Sequence, residues 1–281
     1  MRNLWMLTQL EIYKLFSKGR SYIAFGAVIF IVLIIQVALK IDGKTFLDFQ
    51  IQNLKDTFMF EGNIFNGYLS VYVILTALLI HIPFLIALVS GDLIAGETSA
   101  GTLRFILTRN PERWQIITAK FITCIVYASS LVIVMGVLSI ITGIWFFGKG
   151  DLFVVRDTIY VFNEEDVLWR LIAAFAFSVL GMSTVASLAF FLSSLTDNSV
   201  TPIIITMAII IAFMIISTID LSMFKIAKKF FFTTYMNAWR NLFEQPLNIA
   251  KFSESAVILL LHIVVLFSAT LFQFQKKDIL S

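Results

Sequence analysis

The residues of this chain best suited to recognising a charged partner are gathered in one polar stretch. Gly91 to Lys120 reads GDLIAGETSAGTLRFILTRNPERWQIITAK and lies between two long hydrophobic runs. Glu97, Thr102, Arg104, Arg109 and Arg113 supply its carboxylate, hydroxyl and guanidinium groups. Charged side chains carried on a short helix are steered and held by a complementary acidic or polar surface. Gly91, Gly96 and Gly101 let the chain bend at low steric cost. Thr98 or Ser99 is a candidate cap, and Leu103, Phe105, Ile106 and Leu107 give an apolar side that leaves out Arg104 and Arg109. Pro111 ends the pattern, because the residue before a proline is pushed away from helical geometry. The spacing predicts a short amphipathic helix at a membrane surface. The competing readings are a solvated loop, or arginines that anchor the loop to anionic headgroups. Anionic lipid would repel Glu97, whose expected use is a local cap or a pair with Arg104.

Bond-breaking chemistry has no comparable support. There is no His-Glu-x-x-His, no Gly-x-Ser-x-Gly and no pair of Asp centred in two hydrophobic runs, so the chain is not expected to be an enzyme. Gly143 to Gly150, GIWFFGKG, has phosphate-loop spacing but lacks the final Ser or Thr. It also closes a hydrophobic run instead of joining a strand to a helix, so it reads as coincidence. Any ATP-driven work would need another subunit. His81 and His262 are the two histidines, and both fall within hydrophobic runs. Ionisable groups in lipid are functional suspects, yet neutral histidine packs well in a bundle and two ligands make a poor metal site. No metal is expected. Cys124 is single, which excludes an intramolecular disulfide and leaves it a packing role.

The elements that must position these residues follow from composition. Hydrophobic residues make up 59% of the chain and charged ones 14%, with a mean hydropathy of +0.92. Soluble domains carry about 25% charge. The fold class expected is an all-α polytopic membrane protein, and the small net charge of +3 gives no reason to expect nucleic acid. Six spans are predicted, at about 21–39, 68–90, 121–147, 167–192, 200–219 and 255–274. Residues 1–20 predict an N-terminal interfacial helix with Trp5, Met6, Leu10, Ile12, Tyr13 and Phe16 on one side. Asn3, Thr8, Glu11, Lys14 and Lys18 lie on the other, where Leu4, Leu7 and Leu15 intrude. Pro83 predicts a kink in the second span. The fourth span is rich in Ala, Ser and Gly, which lets helices approach closely in lipid. Residues 220–254 hold FKIAKKFFF and WRNLFEQP, expected as short interfacial helices in an outer loop. The Lys and Arg distribution slightly favours an N-inside orientation, with Lys225, Lys228 and Lys229 counting against it.

Glu97, Gly101, Thr102, Leu103, Arg104, Pro111, Arg113 and Lys120 together resemble the permease subunits of ABC-2 type transporters (ABC exporters). In that family the loop between the second and third membrane helices reads roughly E-x-x-x-G-T-L-R, then a spacer, a proline, an arginine and a later lysine. The likeness is close over about thirty residues, and helix count and order extend it loosely along the chain. SSLTDNS at 193–199 is a further family-like feature. The resemblance implies a multi-pass permease in the bacterial cell membrane with cytosolic N- and C-termini. It implies pairing with a second permease copy or a paralogue and with a separate cytosolic ATPase that holds ATP and Mg, leaving this chain without a cofactor. The loop at 91–120 would be a cytosolic coupling helix, docking the ATPase through Glu97, Gly101, Thr102, Leu103, Arg104, Arg109 and Arg113. On the outer side, Lys228, Lys229 and Trp239 are candidates for a gate or lid. Aliphatic, Phe-rich spans with few mid-membrane charges favour an amphipathic or lipid-like cargo. A non-transporting membrane scaffold or sensor stays open as an alternative. So does a gradient-driven secondary transporter, although neither an inverted repeat nor a mid-span carboxylate supports it.

Overall fold

A computed structural model describes residues 2–50, 65–102, 112–156, 158–219 and 222–276. The chain begins with α1 (Arg2–Phe16) and continues through α2 (Gly19–Gln50) and α3 (Gly67–Ser90) to the short α4 (Ala95–Ser99). Then follow α5 (Arg113–Phe147), the strands β1 (Leu152–Val155) and β2 (Ile159–Phe162), α6 (Glu164–Leu195) and α7 (Val200–Thr218). Short helices α8 (Lys225–Lys228) and α9 (Phe232–Met236) and a 3-10 segment, Asn237–Phe243, precede α10 (Ile249–Lys276). Six of these helices, α2, α3, α5, α6, α7 and α10, are long and apolar enough to cross a membrane.

Helix α6 is central, packed against α3, α5, α7 and α10. Its small residues explain the position. Ala174, Ser178, Gly181, Ser183, Ser187 and Ala189 are buried, and each lets a neighbouring helix come close. A Cβ on Gly136 of α5 would touch the Phe175 ring at 3.0 Å. Helices α2, α7 and α10 lie outside, with Phe30, Ile34, Ile204, Ile215, Leu261 and Val264 exposed, as lipid-facing surfaces should be. The Phe16, Phe25 and Tyr127 rings meet at centroid distances of 5.7–6.3 Å and pin the α1–α2 turn to α5.

Helix ends depart from the hydrophobic runs. Helix α2 continues past residue 39 to Gln50, broken at Asp42 (φ −122°, ψ 17°), and α5 starts at Arg113 behind a Glu112–Gln115 capping box. Hydropathy marks where apolar side chains are, whereas backbone hydrogen bonds decide where a helix stops.

Two features were not read from the sequence. After α5, β1 and β2 form an antiparallel hairpin, Leu152 opposite Phe162. It is a small addition to a helical fold, driven by alternation that buries Leu152, Val154 and Phe162. Residues 222–243 hold the two short helices and the 3-10 segment. They turn back onto the bundle, where Phe231 stacks on Phe213 of α7 at 4.0 Å. Trp239 and Phe243 meet Tyr72 of α3 at 5.6 and 5.1 Å. Arg170 locks this packing, bonding the Leu242 carbonyl and Asp166 and covering the Phe162 ring at 4.5 Å.

At the same end, the α3 and α5 backbones nearly touch. Gly67 donates its N–H to the Gly148 carbonyl at 2.9 Å, and a Cβ there would sit 2.6 Å from the carbonyl oxygens of Gly143 and Gly148. Gly67→Ala is expected to cost about 1–3 kcal/mol, seen as a lower thermal unfolding midpoint in detergent. Gly26→Ala, where a Cβ meets nothing within 4 Å, is expected to be neutral or slightly stabilising; equal midpoints for the two variants would sink the close-approach account.

Candidate functional site

At the opposite end of the bundle, α1 turns its polar side inward. Thr8 and Leu15 are buried, while Trp5, Leu10 and Tyr13 are largely exposed. The leucines that intrude on the polar side are the reason: a face mixing Glu11 and Lys14 with Leu7 and Leu15 suits a protein surface better than water, and the aromatic face is left for the exterior. Glu11 Oε2 lies 2.7 Å from Lys120 Nζ of α5, and Lys120 Nζ lies 2.8 Å from Glu97 Oε2 of α4. Lys14 donates to Glu97 Oε1 and lies 3.9 Å from Glu11. Lys120 is fully buried.

A second pair extends the cluster. Asp92, also buried, is 2.7 Å from Arg20 and 3.8 Å from Lys18. Burial pulls the Lys18 ammonium below the ordinary lysine range, against the attraction of Asp92. The loop is held from behind by Ser193 of α6, whose hydroxyl accepts from the Ile94 and Ala95 N–H groups at 3.1 and 2.9 Å. Of the three glycines, Gly101 alone takes a left-handed conformation (φ +69°). Gly91 and Gly96 are needed for space, since a Cβ would meet Ile203 at 3.0 Å in the first case and the Asp92 carboxylate in the second.

The residues singled out from sequence are divided by this geometry. Glu97 is not displayed at the surface; its carboxylate is taken by two lysines. Gly101 is half-buried, and exposed Thr102 donates to the Glu97 carbonyl at 3.3 Å. Leu103, Arg104 and Arg109, with the helix expected around them, lie outside the described residues. Arg113 is half-buried and donates to the Gln275 carbonyl at 3.2 Å, tying α5 to α10. Lys229 is exposed and Lys228 half-buried, whereas Trp239 is buried. His81 and His262 each bond a carbonyl one turn back in their own helix, at 2.9 and 2.8 Å, and His262 also meets the Phe230 carbonyl at 3.1 Å. Among the described residues no group of three His, Cys, Asp or Glu is placed to hold a metal. Glu11, Lys14 and Asp92 escaped notice as site residues, although Glu11 and Lys14 share a helix face and Asp92 follows a hydrophobic run directly.

Over residues 15–280 the chain matches the family described as "Protein of unknown function (DUF2705)". The chain belongs to this family. It is also similar to an uncharacterized protein, YhcI, of Bacillus subtilis (strain 168), at 25% identity over 117 residues. That similarity covers 40% of this chain and 37% of that protein.

Removing one member of a buried ion pair leaves an uncompensated charge and costs about 3–5 kcal/mol. Lys120→Met is therefore expected to lower the unfolding midpoint strongly, and adding Glu97→Gln is expected to recover part of the loss. A single variant as stable as the parent would show that the cluster does not hold α1 and α4 to α5.

Proposed function

We propose that this DUF2705 protein is the membrane-spanning permease subunit of an ATP-driven exporter of the ABC-2 type, working with a separate cytosolic ATPase. The observation that carries the reading is the loop between the second and third long helices: its motif residues lead into a segment clamped by buried ion pairs. Glu97 sits seven residues before Arg104, and through Lys120 and Lys14 it is fixed to α5 and α1. A push on the loop would thus reach α5 and α1 without being absorbed by slack side chains, as transmission from an ATPase requires.

In this reading α1 and the 91–120 loop face the cytosol, as do both termini, and α1 lies at the membrane surface with Trp5, Leu10 and Tyr13 in the headgroup region. ATP and Mg reside on the partner. A second permease copy or a paralogue completes the pathway, and the cargo is amphipathic or lipid-like. Arg104 and Arg109 are the docking residues to test. Glu97 acts from within, as the anchor of the docking segment.

The test is purification of the tagged chain from native membranes in mild detergent, followed by an ATP hydrolysis assay on the eluate. A separate ATPase is expected to come with the parent chain, and Arg104→Ala with Arg109→Ala is expected to reduce its recovery about tenfold, the scale of losing charged interface contacts. Recovery of the parent chain with no ATP-hydrolysing partner would overturn the permease reading.

A further inference from the structure

A second group of polar atoms lies away from the ion cluster, in a cavity between α3, α6, α7 and the 232–243 segment. Leu79, Ile80, Met182, Ile210 and Met214 give it apolar walls. Four polar side chains on the returning segment also line it, namely Thr233, Asn237, Trp239 and Arg240, of which Asn237 is exposed. Among the described residues, Thr233 Oγ1, Trp239 Nε1 and Arg240 Nε have no hydrogen-bond partner. Thr233 is 5% exposed and Trp239 1%, so bulk water does not serve them. The contrast with the other hydroxyls on the same walls is sharp. Thr76 bonds the Tyr72 carbonyl at 2.9 Å, and Ser178 bonds the Ala174 carbonyl at 2.7 Å. The helices satisfy their own polar groups, and the returning segment does not.

The chemistry of the three groups restricts the ligand. An indole N–H and a guanidinium N–H donate and cannot accept, and a hydroxyl does either. Such a set calls for acceptor oxygens, and the guanidinium favours a negatively charged bearer. Arg240 stands 5.6 Å from the Trp239 ring and forms no ion pair among the described residues; the nearby Glu244 is held by Arg156 at 2.6 Å. Ile80 of α3, which also lines the cavity, is 43% exposed, which gives a hydrocarbon chain a way in.

We propose that this cavity binds an amphipathic oxyanion. Its carboxylate or phosphate is held by Trp239, Arg240 and Thr233, and its hydrocarbon lies along Ile80, Ile210 and Met214. The site does not depend on the exporter reading, because binding requires no ATPase. If that reading holds, the same chemistry names the class of cargo.

The experiment is native mass spectrometry of the full chain in a neutral maltoside detergent. The probes are palmitate, dioleoylphosphatidylglycerol and hexadecanol, the last having a chain but no charge. One palmitate or one phosphatidylglycerol is expected to be retained per chain, with hexadecanol retained at least about tenfold less, the scale of a charge-assisted hydrogen bond. Retention of phosphatidylglycerol alone assigns a resident membrane lipid; retention of palmitate alone, or its displacement of the lipid, assigns a single-chain diffusible ligand. Arg240→Gln and Trp239→Phe are expected to weaken retention about tenfold while Arg240→Lys keeps most of it. Size-exclusion elution and unfolding midpoint confirm that each variant is folded. Hexadecanol bound as well as both anions, no binding of either anion, or full retention by a folded Arg240→Gln would each overturn the proposal. The hexadecanol comparison uses the parent chain alone and stands even if the variants do not fold.

Discussion

A lysine ammonium removed from water must be matched by carboxylates placed around it, and Lys120 sets that condition for one end of this protein. Fully buried at the start of α5, it is neutralised by Glu97 from α4 and Glu11 from α1. Each carboxylate comes from a different part of the chain, so all three elements must be in place together. The inward turn of the α1 polar face, the docking of α4 and the tight glycine turns between α3 and α4 are consequences. Leaving any one of these charges alone at low dielectric is far costlier than holding the set.

The far end of the bundle is organised by a different means. Small residues on α6 and the glycine contact between α3 and α5 let the helices close up, and the space this leaves is filled by 222–243 folding back. Arg170 fixes that segment through a backbone carbonyl, and the aromatic contacts of Phe231, Trp239 and Phe243 supply its apolar anchorage. Side-chain satisfaction stops at its cavity-lining edge, at Thr233, Trp239 and Arg240. One end is thus electrostatically closed upon itself, while the other presents unanswered donors beside an apolar wall.

Particular residues show how far the sequence could be read. Six helices long and apolar enough to cross a membrane were legible because runs such as FGAVIFIVLIIQVAL are continuous. The packing role of the fourth span was legible from its small residues. Glu97 stood out as a functional carboxylate, but its partners did not, because Lys14 and Lys120 are 83 and 23 residues away and no local pattern joins them. The hairpin was hidden by its Asp- and Glu-rich surroundings. The inward path of Trp239 was hidden by flanking lysines, which made the segment look like a surface.

By itself, then, the sequence determined a helical chain with six segments able to cross a membrane and a polar loop between the second and third. Those properties depend on local composition and periodicity, which each segment carries alone. Only the tertiary structure decided that Glu97 faces inward, that α1 shows its aromatic side outward, and that Thr233, Trp239 and Arg240 meet at one cavity. These depend on which charges and donors find partners across long sequence separations, and burial makes that matching decisive only once the helices have packed.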